Sequence, residues 1–485
     1  MIVIDKNLLP SIKRLFSFNK MRNISVQGIS FMENKKVKIS KSENKFILSF
    51  NIDLTEYKAM KSLQNYNFPK FSFTHNKNRY VINEKMGRIT KFKDNAINGD
   101  SDDFSLEVEV NSMYSEKINI NKEYYFRYFI PIEKKICFDD YNSYKFKNQG
   151  KFTNGDLIKI NISQDEIHLY NFKYNKKEYI IIESSKKCYL KYIEDIAYAS
   201  LLTLGFLSGK LYLDEAYIIA SDQKKFNNPL GVYYKSLRES IFGQYSIFTT
   251  NVYSILIPIA KKMCAKNAEK RMLDIIEKKW KYRINIIEEV VFSKIVETFY
   301  KYESIARAAL TTLTASRLGL EIQAAVYCIS FEAICNSIIK IKSLEPLKTI
   351  EESKWEVIKK ELLAIPTISQ LSDKAKEYLK NKINNLNQAT NIDKLSLPFK
   401  EVRYNLSEEE IKVIKDRNRF LHGHLNTEKG ETEIDKLFYT SLMLHRLCCI
   451  LILKLCGFQG YIINNKVLFA KDINRHTNEW GFKKI

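Results

Sequence analysis

The hydrophobic pattern changes period partway along the chain, and that change limits the folds open to it. From about residue 20 to 190, apolar and polar side chains alternate in stretches such as KKVKISKSENKFILSFNID, DFSLEVEVNS, LIKINISQDEIHLYNF and KEYIIIESS, punctuated by Asn, Gly and Asp. Alternation turns one side of an extended chain into a core, and β-branched and aromatic residues favour it, so this half is predicted to be β-rich. Around DIAYASLLTLGFLSG, 195–209, the period lengthens towards helix and stops on Gly209, after which LYLDEAYIIAS reads as strand again. From about 230 onward the period is helical. A chain of 485 residues exceeds one ordinary core. We therefore expect an α+β multidomain protein: a β-rich sensing or regulatory domain over 1–195, a mixed then helical connector over 196–300, and a helical domain over 301–485.

Lys and Arg outnumber Asp and Glu by 78 to 56, a net charge of +22 that attracts polyanions, nucleic acid first among them. Residues 301–485 hold 29 basic and 22 acidic side chains, so the excess spreads over both halves and localises no site. One segment stands out. AKKMCAKNAEKRMLDIIEKKWKYR, 260–283, sets nine basic against three acidic residues, with Trp280 and Tyr282 near its end. Such a helix can grip a phosphate backbone, or it can be a solvated face with two core aromatics. The N-terminal run MIVIDKNLLPSIKRLF is broken by Asp5 and lacks the pattern of a secretory signal. LCCILILKLC, 447–456, is half the length of a membrane span and is expected to be a buried helix. The eight cysteines show no CxxC spacing, which points to reduced thiols and a cytoplasmic protein without membrane attachment.

Within the helical half, SRLGLEIQAAVYCISFEAICNSIIK spaces Leu318, Ile322, Ala325 and Ile329 at helical intervals, with Glu332 one turn further along the same stripe. A carboxylate there needs a partner, either a neighbouring helix or an active-site arginine that it orients. Between 346 and 400, Pro346, Pro366 and Pro398 break the helices, and NNLNQATNIDKLSLP reads as a loop. Ser407 followed by Glu408, Glu409 and Glu410 gives a capping box, and Gly423 supplies a stop, which frames a helix over about 408–422. A largely apolar helix is expected over about 432–456.

The first of these closing helices ends in KDRNRFLHGHLN. At 100° per residue, Ile411, Ile414 and Leu421 share a face, Asn418 lies within that arc, and His422 is about 40° from Asn418. Arg417 is about 140° from His422, so the two are expected to flank the apolar stripe from opposite sides. Two copies of the helix across a two-fold axis would bring the Arg of one towards the His of the other. An imidazole that titrates near neutrality can move the protons of RNA cleavage, and a forked guanidinium can hold the crowded phosphoryl oxygens. The plainer alternative is that Arg and His cap helix carbonyls. A metal site from His422 and His424 lacks a nearby acid or third histidine, so neither metal nor cofactor is expected.

The residues Arg417-Asn418-Arg419-Phe420-Leu421-His422 resemble the Arg-polar-x-x-x-His element of the HEPN superfamily of helical ribonucleases. QAAVYCISFEAICNSI is similar to the early helix of HEPN domains in ApeA-type antiphage proteins, and LLTLGFLSGK resembles a segment that precedes them. The resemblance covers about 301–485 and implies an all-α HEPN-like bundle behind the β-rich half. It further implies metal-independent cleavage of RNA, tRNA among the candidates, to a 2′,3′-cyclic phosphate in a homodimer. A phage-derived trigger and shutdown of the infected cell follow from it. Carried over by position, Arg417 and His422 are catalytic and Asn418 is the polar helper. Arg419, Lys415 and His424 are the expected RNA contacts beside them and Glu332 a support, although His424 has no counterpart in the motif and its role stays open between backup base, phosphate contact and bystander. The competing reading is a non-catalytic nucleic-acid- or protein-binding module in which the bundle only dimerises.

Overall fold

Where the sequence alternates, the chain extends. The computed structural model describes residues 4–485 except 30–31, 34, 54, 57–69, 84–85, 95–103, 134–135, 137, 139, 149–150, 264–266, 281–282, 285, 346–349, 366–370, 422–430 and 470–480. At 92–94, 151–155, 280, 418–421 and 431–433 it describes the backbone alone. The protein is mixed α and β, a large N-terminal sheet region and a C-terminal helical region, in two compact units. The first comprises Met1–Ile257 and Glu269–Lys301; the second comprises Pro258–Ala268 and Tyr302–Ile485. The residues expected to form a connector, 196–300, therefore divide, nearly all of them belonging to the first unit.

In the first unit, sixteen strands among the described residues join edge to edge, from Ile4–Lys6 at one end to Gly87–Asp94 at the other. The pairing of Lys45–Ile52 with Phe104–Val110 shows why. Phe46, Leu48 and Phe50 stand opposite Val110, Val108 and Leu106, and all six are buried. A shift of one residue would turn the whole set to water, at about 1.5–3 kcal/mol for each large side chain exposed. A first helix, α1 (Leu9–Asn19), which the strand pattern did not anticipate, lays Ile12, Leu15 and Phe18 into this core. The Phe18 ring meets those of Phe46 and Tyr80 edge-on at 5.5 Å.

The helix α2 (Leu190–Ser208) is apolar almost all round and packs against the helix Glu289–Lys301 further along the chain. It stops on Gly209 at φ +77°, where a Cβ would lie 2.8 Å from the Tyr245 carbonyl oxygen, so a glycine is required. Beyond it the expectation of helix from about 230 is wrong for some twenty residues. GVYYKS forms the strand Gly231–Ser236, which pairs with Glu215–Ser221 and Ser112–Ser115, because its β-branched and aromatic run suits a sheet interior. Helices begin with α3 (Tyr253–Lys262). The basic segment then breaks into α4 (Ala268–Ile275) and a five-residue π-turn, Ile276–Trp280, before α5 (Glu289–Lys301).

A buried cluster ties the N-terminal strand to the sheet. Arg127 Nε donates to Glu183 Oε2 at 2.9 Å, Tyr170 Oη to the same oxygen at 2.6 Å, and Lys6 Nζ to Glu183 Oε1 at 3.2 Å. Lys6 Nζ also lies 2.6 Å from His168 Nδ1. Burial alone would raise the Glu183 carboxyl, but Arg127 and Lys6 hold it far below the usual carboxylate range. Burial and Lys6 push the His168 imidazole down to about 4.

The second unit is built on helices: α6 (Glu303–Ala315), α7 (Leu320–Ile341), α8 (Glu352–Leu363), α9 (Asp373–Asn385), α10 (Asn391–Glu401), α11 (Glu408–Leu421) and α12 (Glu431–Leu455). The longest apolar run behaves as expected, with Leu447 to Leu453 of α12 buried. Both α7 and α12 are long and apolar enough to cross a bilayer, and most of each is buried within the protein. Five of the six described cysteines are buried. Two expectations need correction. The stretch read as a loop, NNLNQATNIDKLSLP, contains most of α10, because Thr390 and Asp393 form a reciprocal capping box that starts a helix, and Pro398 falls inside it. The unit is also not wholly α, since Tyr461–Ile463 pairs antiparallel with Phe482–Lys484.

Glu183→Gln leaves two buried cations facing a neutral amide. We expect it to destabilise the sheet unit by about 3–5 kcal/mol. Peptide-resolved hydrogen exchange should show the loss in 125–132 and 165–184 while the helical unit is unchanged.

Candidate functional site

The helix that carries the Arg-Asn-x-x-x-His element is positioned from its first turn. Glu410 N donates to Ser407 Oγ at 3.3 Å and Ser407 N to Glu410 Oε2 at 2.9 Å, the capping box expected from the sequence. Glu410 does more than cap. It is fully buried, accepting from Tyr404 Oη at 3.0 Å and pairing with Arg446 Nη2 and Lys483 Nζ at 3.2 Å each. Burial alone would raise its carboxyl; Arg446 and Lys483 overcome that and keep it below the usual range. Arg446 also donates to Asn464 Oδ1 at 2.9 Å. The start of α11 is thus pinned to α12 and to the strand Phe482–Lys484.

From this anchor the buried face runs Glu410, Val413, Ile414, Arg417, at intervals of three, one and three, as a helix buries one side. The expectation that Ile411 shares the buried face with Ile414 while Arg417 flanks it is therefore corrected; the side chain of Leu421, expected on the same face, lies outside the described ones. Ile411 is half-buried, and Arg417 lies within the buried face. Its side chain is 5% exposed. Its stem can sit there because the head is satisfied: Nε donates to Glu332 Oε1 at 2.8 Å and Nη1 to the Ile414 carbonyl at 3.1 Å. Glu332, at 34% exposure, is the solvent-side member of the pair.

Glu332 belongs to α7; of the stripe Leu318, Ile322, Ala325, Ile329 expected from spacing alone, Leu318 precedes the helix and the rest lie on it. That stripe turns away from the bundle. Ile322 and Ile329 are 58% and 55% exposed, and the face α7 buries is instead Ala324, Tyr327, Cys328, Phe331, Ile334, Cys335 and Ile338. Beside the ion pair, Cys328 Sγ donates weakly to the Arg417 carbonyl at 3.8 Å, and burial, with Glu332 adding to it, pushes the thiol up to about 12. It is a packed sulfur with no nucleophilic character at neutral pH.

The structure brings together Arg417 and Glu332, 85 residues apart in sequence. Lys415 is exposed on α11. Asn418 and Arg419 lie in the last turn of α11, where the backbone alone is described, and His422 and His424 lie outside the described residues. Sequence reasoning did not find Glu410, Arg446 or Lys483 as a cluster. One signal was present: Arg446 is the one Lys, Arg, Asp or Glu in the stretch SLMLHRLCCILIL, and an arginine so placed requires a buried acid.

Another histidine of the helical unit, His445, is buried beside the Tyr327 ring, 5.4 Å between centroids, and 3.8 Å from Cys449 Sγ. Burial pushes its imidazole down to about 4, below the unfolded value of about 6.5. The unfolded chain therefore takes up the proton first, so stability is full above about pH 6.5 and falls as pH drops towards 4. His445→Leu should remove about 2 kcal/mol of the stability difference between pH 7 and 5, read by urea unfolding at the two pH values. Glu410→Gln should destabilise the helical unit by about 3 kcal/mol, with faster hydrogen exchange concentrated in 408–417.

Compared with known proteins, the chain matches no family model, no curated protein and no solved structure.

Proposed function

We propose that the protein is a metal-independent endoribonuclease of the HEPN kind, acting as a homodimer through its helical unit in an antiphage, abortive-infection response. The observation that carries this reading is the Arg417–Glu332 pair. An arginine in the register of the Arg-Asn-x-x-x-His element is held by a carboxylate from a second helix, next to an apolar stripe that its own chain leaves uncovered. A second copy seated on Ile322 and Ile329 would bring two such arginines to one cleft. In the reaction, His422 takes the proton of the ribose 2′-hydroxyl, whose oxygen attacks the adjacent phosphorus. The bond to the 5′-oxygen breaks, that oxygen takes up the proton His422 has accepted, and a 2′,3′-cyclic phosphate remains. Arg417 stabilises the charge on the phosphoryl oxygens, and Asn418 orients His422. A phosphate reaches the guanidinium from the Glu332 side, where it competes with the carboxylate.

The depth of Arg417 favours a second reading. With 5% of its side chain exposed and two of its donors satisfied, it serves equally as a structural ion pair in a non-catalytic module that dimerises and binds RNA or protein.

Incubation of total RNA and of tRNA with the purified chain, with and without EDTA and with product ends mapped, separates these readings. We expect cleavage indifferent to EDTA with cyclic phosphate ends, reduced at least about 100-fold in Arg417→Ala and in His422→Ala. The dimer should persist in both variants. Binding without cutting would establish the module, and loss of cleavage in EDTA would indicate a metal-dependent phosphohydrolase instead.

A further inference from the structure

We infer that the exposed side of α4 and the π-turn that follows it is a docking ridge for the sugar-phosphate backbone of single-stranded RNA. The inference rests on the ribonuclease reading and adds to it where the strand is held. On α4 and the turn, Met272 and Ile276 are buried, while Lys270, Arg271, Lys278 and Lys279 are exposed. On an unbroken α-helix Lys279, seven residues after Met272, would return to within about 20° of Met272's direction and face the core. The π-turn Ile276–Trp280 prevents this. Its i→i+5 bonding spreads slightly more than four residues over each turn, roughly 80° per residue, and swings Lys279 clear of the buried side. The same unwinding brings Lys278 nearly into line with Lys270, and Lys279 with Arg271, where an α-helix would leave each about 80° off. Two cation pairs result, about 12 Å apart along the axis, a span that covers several charges of a nucleic-acid strand.

The segment also exposes Glu269, Asp274 and Glu277, yet three of the four cations stay outside any ion pair among the described residues. These are Lys270, Arg271 and Lys278, although Asp274 stands four residues from both lysines. At the same spacing, Lys191–Asp195, Lys301–Glu297 and Arg307–Glu303 all pair. A membrane surface is the poorer partner, because a helix lying on lipid needs an outward apolar face, and among the described side chains of this segment Leu273 is the one large apolar group exposed while Met272 and Ile276 are buried. A rotated ridge of cations fits a hydrated, sequence-independent polyanion.

The test uses the full chain carrying His422→Ala, so that the probe survives, and a fluorescein-labelled single-stranded RNA of mixed sequence. Binding is titrated between about 50 and 200 mM salt, where each single-strand phosphate contact adds about 0.7 to the slope of log K against log salt. Replacing Lys270, Arg271, Lys278 and Lys279 with alanine should reduce that slope by about 2.8, so the parent loses about 50-fold more affinity across the range than the variant does. Exchanging the three lysines for arginine and Arg271 for lysine should preserve the slope, and alanine at the exposed Lys224 and Lys225 should leave it unaltered. Equal slopes in parent and ridge variant, an equal loss in the Lys224/Lys225 variant, or no RNA binding by the parent would each overturn the ridge. Cleavage is scored separately with His422 intact. A chain that binds through the ridge and leaves RNA whole refutes the nuclease reading alone, whereas one that cuts RNA with its slope unmoved by the ridge substitutions refutes the ridge alone.

Discussion

A buried guanidinium must meet a carboxylate, and the architecture of both units follows from how that demand is satisfied. Arg127, Arg417 and Arg446 are each nearly excluded from solvent, and each faces an acid: Glu183, Glu332 and Glu410. Removing an arginine from water without compensation costs several kcal/mol, so each pair fixes the separation of the elements it joins. In the sheet unit, Arg127 adds a ring contact, lying 4.0 Å above Phe226, and its pair with Glu183 draws the N-terminal strand in through Lys6. In the helical unit, two such pairs hold α11 along its length, one at its start through Arg446 and one near its end through Arg417.

This explains which parts of the fold were readable in advance. The period-two segments became strands because burial on one face decides their conformation locally. The start of α11 was readable because Ser407 and Glu410 satisfy the first-turn amides within four residues, whereas the expected stop at Gly423 lies outside the described residues. The errors arose where distant partners decide. GVYYKS lies in a region of helical period, but its strand form depends on Ser112–Ser115 and Glu215–Ser221 supplying edges for it to join. The stripe on α7 was found by spacing, yet periodicity alone cannot say which of two apolar faces a helix buries, and the bundle takes the side bearing Tyr327 and Phe331. α10 was missed because a proline and several polar residues outweighed a Thr-Asp capping box in the reading.

At the candidate site the same limit applies. The need of Glu332 for a partner was legible in the sequence; that the partner is Arg417 is a property of how α7 and α11 cross. Chemically, this pairing gives the arginine two competing claims. A carboxylate at 2.8 Å presets the guanidinium's orientation and lowers the conformational cost of meeting a phosphate, and it also occupies the donor that a phosphate would use. Whether Arg417 serves chemistry or packing thus depends on a local exchange of one anion for another at a partly exposed position.

The partners of Glu410 also impose an order of events on a growing chain. Arg446 follows it by 36 residues, and Lys483 comes later still. While the ribosome has yet to deliver them, α11 can form its cap but cannot bury its acid, so it has no stable seat against the bundle. The stretch 408–417 is therefore among the last portions of the helical unit to set, since its seat against the bundle waits on residues that emerge after it.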